Sequence, residues 1–368
     1  MQICKNFTSI SAVVLLSIGL PLGAGAAEEK VLNIYNWSDY IAEDTIKNFE
    51  ERTGIKVNYD VFDSNEVLEA KLLAGSSGYD VVVPSAGFME RQIQAGVFAK
   101  LDKSKLKNYG NLDKEILERL NAHDPGNEHG VPYMWGTTGF GYNIKKVKKA
   151  MPDAPTDSWS MLFDPDVVSK LKGCGVTLLD APTEVFANLM RYLGRDPNSE
   201  KKEDIKLFQE HMLKVRPSIK YFHSSQNIND LANGEICVAM GWSGDMLIAR
   251  DRADEAQQGI EIAYVIPKEG AVMWFDSLAI PSDAPHKNNA HMFIDYIMEP
   301  EAAAAITNYV FYANGNSASL PYIDDEVKSD PGIYPSAEVK ANLFPDLADS
   351  PKFTRQLTRA WTRIKTGQ

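Results

Sequence analysis

A chain of 368 residues, 44% of them apolar, is long enough to bury large cores and too long for one ordinary domain, so two domains are expected. Its formal net charge of −12 argues against nucleic acid and anionic membrane as partners. Acidity alone does not identify a cationic ligand, because many proteins are acidic for solubility.

Residues 1–26 read as a secretion signal. Lys5 supplies the positive start, Ala12 to Leu22 the apolar segment, and Ala24-Gly25-Ala26 the small-residue cleavage site. That apolar stretch is too short to span a bilayer, and nothing later in the chain is long enough. No cysteine stands beside the cleavage site to carry a lipid. An exported protein, not embedded in a membrane, is expected. Cys4 leaves with the signal, so Cys174 and Cys237 remain. An even number in an oxidising compartment is expected to pair as a disulfide; the alternative is two buried thiols.

The mature chain opens on a short apolar strand, Val31-Leu32-Asn33-Ile34, which hands over to a helical pattern from Ile41 to Phe49. Between them stands Tyr35-Asn36-Trp37-Ser38-Asp39-Tyr40. Trp37 and Asp39 place an indole beside a carboxylate at the carboxyl end of a strand, where open α/β sheets bind ligands. Such a pair suits an organic ammonium; the plainer reading makes Trp37 an edge-of-core aromatic and Asp39 a helix cap. A second strand, Lys56 to Val61, leads into a helix through Leu73, and Tyr79 to Ser85 reads as a buried strand ending at Ser85. Strands separated by helices imply a parallel sheet.

Near Gly130 the texture becomes aromatic, β-prone and glycine-rich. Val131 to Asn143 therefore reads as an extended segment passing between lobes. A second α/β unit follows, with strands at Gly175–Asp180 and Ile236–Met240 and helices at Val185–Leu193, Ile205–Val215 and Met246–Glu255. Ala271 to Pro281 reads as a second crossing, and helices at Ala290–Met298, Glu301–Tyr309 and Phe353–Ile364 complete the chain. The expected division is 27–135 with about 275–322 in one lobe, and about 136–274 with 323–368 in the other. A cleft between the lobes follows.

The pairing of aromatic and acid recurs. Met240-Gly241-Trp242-Ser243-Gly244-Asp245 ends a strand with an indole and a carboxylate before a helix. Trp274 and Asp276 lie two apart and would share one face of a strand. Glu184 follows the strand ending at Asp180. None of these segments contains a basic residue. Enzyme readings fare worse. Gly241 to Asp245 misses the nucleophile elbow because Asp245 stands where the second glycine belongs. Phosphate-loop and dinucleotide signatures are absent. His123 and His129 match no metal spacing and read as a solvated turn. His223 beside Ser224 and Ser225 has no accompanying oxyanion-hole sequence. A glycosidase could use paired carboxylates, but it does not require aromatic–acid pairs from two lobes. No enzyme activity, cofactor or metal is expected.

Taken together, these segments resemble the periplasmic polyamine-binding proteins, of the putrescine and spermidine group, that serve bacterial ABC importers. The likeness covers the mature chain. It is carried by Asn36-Trp37-Ser38-Asp39-Tyr40, Tyr59 to Glu66, Gly78 to Ser85, Val215-Arg216-Pro217, Tyr221 to Ser225, Asp230 to Gly234, Cys237-Val238-Ala239, Ile266 to Gly270 and Thr358 to Lys365. It implies a two-lobed α/β binding protein of type II, with mixed sheets, flanking helices and a hinged cleft. Such a protein would act as a monomer that presents a polyamine to an inner-membrane ABC permease. Trp37 and Trp242 are similar to aromatic walls around a methylene chain. Asp39, Asp245 and Asp276 are similar to the partners of the ammonium groups, with Glu184 a further acid. Ser38, Ser85 and Ser224 resemble polar contacts, and Tyr40 and Tyr312 further aromatic surface. The Cys174–Cys237 pairing also fits the family. Trp274 resembles the spermidine-preferring type, whereas Trp242 and Glu184 resemble the putrescine type, so a binder of both that leans to spermidine is expected. Alternatives are another amine (cadaverine, agmatine or a γ-glutamylated polyamine), a sensing role, or a periplasmic hydrolase.

Overall fold

The computed structural model describes residues 28–345 and 347–368, so the secretion signal expected at 1–26 lies outside the described residues. Eleven strands are present among them. In chain order they are β1 Val31–Trp37, β2 Lys56–Phe62, β3 Val81–Val82, β4 Gly130–Asn143, β5 Val176–Leu178, β6 Tyr221–Phe222, β7 Val238–Trp242, β8 Ile262–Val265, β9 Val272–Ala279, β10 Ala313–Asn314 and β11 Phe344–Pro345. Their hydrogen-bonded order is β2-β1-β3-β9-β4-β7-β5-β6, with β10 and β8 added to β4 and β11 to β9.

The strand that joins everything is β4, 14 residues long. Its first half pairs antiparallel with β9 from Gly130 to Thr137, and its second half pairs antiparallel with β7 from Thr138 to Tyr142. Each half thereby belongs to a different parallel set. β1, β2 and β3 run parallel on one side; β5, β6 and β7 run parallel on the other. Parallel strands need crossover helices, and helices cover both sets. Glu43–Thr53 and Asn65–Leu73 follow β1 and β2, whereas Pro182–Tyr192 and Ser243–Glu255 follow β5 and β7.

Each lobe has its own large core, and two smaller buried clusters lie beside them. Leu32, Ile34, Phe49, Val82 and Phe293 are buried together in the first lobe. Trp159, Phe163, Phe186, Phe208 and Trp361 are buried together in the second. The second lobe is also stapled: Cys174 and Cys237 form a disulfide, with Cα atoms 5.4 Å apart, that joins the turn before β5 to the residue before β7. The thiol alternative does not hold. Among the described residues, no helix is long and apolar enough to cross a membrane.

Candidate ligand-binding cleft

The two parallel sets turn the same edge toward each other. At the carboxyl ends of β1, β2 and β3 stand Trp37-Ser38, Phe62-Asp63 and Ser85; beyond β5, β6 and β7 stand Glu184, Ser224-Ser225 and Asp245. Strand ends are where backbone alternation stops and side chains can be aimed outward, which is why ligands collect there. The crossing strand β9 adds Trp274 and Asp276 from one face, and Tyr312 enters just before β10. These residues, with Tyr40 and Trp242, line one cavity between the lobes.

Of the twelve residues singled out from the sequence, the cavity gathers all but Asp39. The Asp39 carboxylate instead meets Arg252 of the opposite lobe at 2.6 Å. Asp39 does not cap the following helix either: its backbone is left-handed, with φ 51°, and Ala42 holds the cap position. Arg252 sits in the last turn of Ser243–Glu255, 213 residues away, a pairing that no local pattern reveals.

Sequence reasoning missed Phe62, Asp63 and Ser225, which also line the cavity. A signal was available. Residues 62 and 63 end β2 as residues 37 and 38 end β1, with Trp37 in register with Phe62.

Each buried acid is held by neutral donors. Asp276 accepts from Ser85 Oγ at 2.6 Å and from Tyr40 OH at 2.8 Å. Asp245 accepts from Tyr312 OH at 2.7 Å. Glu184 accepts from Trp242 Nε1 at 3.2 Å and from Thr138 Oγ1. Glu184 and Asp245 lie in the first turns of their helices, whose positive ends favour a carboxylate. That help is insufficient. Burial pushes Asp276 and Asp245 each up to about 7, against the opposing pull of their Ser85, Tyr40 and Tyr312 bonds. Burial likewise raises Glu184. Four acidic residues and no basic one line the cavity, so the charge these groups would carry has no counter-ion in the lining, and only Arg252, outside it, pulls Asp245 the other way.

The aromatic surface is closely packed. Trp37 donates Nε1–H to Val83 O at 2.9 Å, which fixes its ring. Trp37 and Trp242 meet edge to face, with centroids 5.2 Å apart and planes at 74°. They therefore touch across the cleft and do not stand as parallel walls. Trp274 and Tyr312 are also in contact, at 5.4 Å. Gly136, opposite Trp274 in the β4–β9 ladder, makes room for the indole: a Cβ there would lie 2.8 Å from Trp274 Cζ2. Ser38 donates to Phe62 O at 3.4 Å, and Ser224 Oγ accepts from Asp180 N at 3.1 Å.

Two α/β lobes, a strand shared between them and an acidic aromatic cleft at facing strand ends define a solute-binding protein. Residues 44–335 match the family described as bacterial extracellular solute-binding protein, and the chain belongs to that family. It is 55% identical over 366 residues to the putrescine-binding periplasmic protein PotF of Escherichia coli (strain K12), covering 99% of this chain and 98% of that one. It is 54% identical over 367 residues to the putrescine-binding periplasmic protein SpuD of Pseudomonas aeruginosa (strain UCBPP-PA14), covering 99% and 100%. A solved structure from Listeria monocytogenes, described as a spermidine/putrescine ABC transporter, superposes with a TM-score of 0.83 at 31% identity, covering 92% of this chain and 100% of that one. The fold is that of a type II periplasmic binding protein.

Proposed function

We propose that this chain captures putrescine and spermidine in the periplasm and delivers them, as a monomer, to the membrane permease of an ABC importer. The observation that carries this reading is the cluster of buried Asp245 and Asp276 with half-buried Glu184 in one aromatic-lined cavity whose lining contains no basic residue. Burying a carboxylate without a cation is costly, and the cost is recovered when an ammonium enters. Polyamines offer methylenes for Trp37, Trp242 and Trp274 and spaced ammonium groups for the acids. Relatives named for putrescine at 55% and 54% identity support the ligand class and the compartment. Trp274 is the feature that leans toward spermidine. The division of the chain at the crossings near 135–136 and 274–275, with the cleft closing about them, is supported by β4 passing from β9 to β7 at Thr137–Thr138.

The test is thermal unfolding of ligand-stripped mature protein against putrescine, cadaverine, spermidine, spermine and agmatine, with arginine as control. A ligand that binds only the folded state raises the midpoint with concentration. Putrescine or spermidine is expected to do so strongly. No shift with any polyamine, from a sample shown to be refolded, would sink the reading.

A further inference from the structure

The chain is acidic as a whole, but its charge is unevenly placed. The C-terminal helix Pro351–Thr366 carries five basic residues and no acidic one in 16 residues. Its apolar side, Phe353, Leu357, Ala360, Trp361 and Ile364, is buried in the second lobe's core. Away from that side, Lys352, Arg355, Arg359 and Arg363 recur at helical spacing and are all exposed. They form a stripe about 16 Å long. Elsewhere in the chain, seven of eight arginines bind an oxygen through the guanidinium. The three on this helix make no side-chain hydrogen bond or ion pair among the described residues, whereas Lys365 pairs with Asp180.

Neighbouring helices extend the charge. Ile144–Ala150, Pro165–Leu171 and Lys202–Val215 pack in turn toward the C-terminal helix, and Val147, Val168, Phe208 and Leu357 share one core beneath them. The four helices hold thirteen lysines and arginines against four aspartates and glutamates, in a chain of net charge −12. Lys148 and Lys149 are exposed on the first of them. Acids stand at the rim and are engaged there: Asp164 accepts from Asp166 N, and Glu200 from Ser350 Oγ. Packed helices lie roughly 8–10 Å apart, so the face is roughly 25–30 Å wide. That is too broad for a single small anion. Protein interfaces bury an apolar or aromatic centre, but Ile144 apart, no large apolar side chain is exposed on these helices. Guanidinium forks match phosphate oxygens.

We propose that this face of the second lobe rests on anionic phospholipid headgroups, held to a membrane surface by charge and without insertion. The chain's overall charge opposes such contact; the separation of charge reverses that locally. The proposal does not depend on the polyamine reading. Each Lys or Arg near an anionic bilayer tightens binding about fivefold.

Co-sedimentation of the mature protein with vesicles tests it. Vesicles of phosphatidylglycerol and phosphatidylcholine in equal parts are expected to bind the protein, and pure phosphatidylcholine is not. Binding is expected to fall at least about tenfold as salt rises from about 20 to about 200 mM. Arg355→Gln/Arg359→Gln/Arg363→Gln is expected to weaken it about 100-fold. Putrescine binding and the melting midpoint should stay unchanged in that variant, because none of the three lines the ligand cavity. Lys148→Gln/Lys149→Gln, on a separate helix, is expected to weaken vesicle binding about 20-fold. The proposal is overturned if the wild type ignores phosphatidylglycerol vesicles at low salt, or if the triple variant binds them as tightly as the wild type. Loss of polyamine uptake by cells carrying the triple variant, with no vesicle binding by the wild type, would also overturn it and assign the face to an acidic protein.

Discussion

Asp245 shows what the cleft asks of one side chain. Its carboxylate is buried, accepts a single hydroxyl bond from Tyr312, and is pushed up to about 7 by burial. Replacing it with asparagine keeps the shape and removes the charge. Under the polyamine reading, Asp245→Asn is expected to weaken putrescine binding about 10- to 100-fold, the scale of a hydrogen bond to a charged group. The ligand-free protein is expected to melt no lower than wild type at pH 8, because a costly buried charge has been removed. Calorimetric titration and a melting curve check the two halves separately. A variant that lost binding and stability together would place Asp245 in the structural framework.

Among elements, the turn after β1 and the helix Ser243–Glu255 are tied across the cleft by Asp39 and Arg252, each about a third exposed. Solvent screens such a pair, so Arg252→Ala is expected to weaken ligand binding by no more than about fivefold. The change is expected mainly in the dissociation rate, and stopped-flow release experiments would show it. The ladder between β4 and β9 makes a stiffer demand. A methyl group at Gly136 would lie 2.8 Å from both Trp274 Cζ2 and Ser243 Oγ. Gly136→Ala is expected to cost about 1–3 kcal/mol, read by denaturant unfolding, with part of that recovered when Trp274→Phe is added. These elements also show what the sequence could reveal. Short apolar runs located β1 and β7, alternation located β2, and β-prone aromatic stretches located β4 and β9, while helical periodicity marked the helices around them, because each is a local imprint of which residues are buried. Trp37 proved to be the last residue of its strand, not part of the turn. The expected strand from Tyr79 to Ser85 shrank to Val81–Val82. Pro84 cannot donate to a ladder. Eleven of twelve expected site residues do line the cavity because aromatic–acid pairs at strand ends are a local signal. The Asp39–Arg252 pair is a tertiary fact, set by chain segments far apart in sequence.

The whole molecule should register its buried acids through pH. In the unfolded chain Asp245 and Asp276 titrate near 4; in the folded, ligand-free protein each titrates at about 7. Between those values each of the two groups binds more protons in the folded state than in the unfolded one, so their contribution to stability is greatest at low pH and declines as pH rises toward 7. An ammonium ligand reverses the preference by favouring the ionised acids. Polyamine affinity is therefore expected to rise with pH through 7, and binding near pH 6.5 to release protons. Calorimetry in buffers of different ionisation enthalpy measures that release. Affinity independent of pH between 6 and 8 would mean that the acids are already ionised in the free cleft.

The continuity of β4 has a genetic corollary. Because one strand serves both lobes, and its side chains alternate faces residue by residue beyond the register shift between Pro132 and Trp135, the residues on either side of the Thr137–Thr138 junction share a single odd–even frame. One codon inserted or deleted between Thr137 and Thr138 would turn one lobe's share of the strand over, sending each of its side chains to the opposite face of a strand that is buried on both. Two codons would restore the alternation while displacing one lobe along the strand. Surface loops should tolerate changes in length, but at this junction length variation is expected to be lethal to the fold.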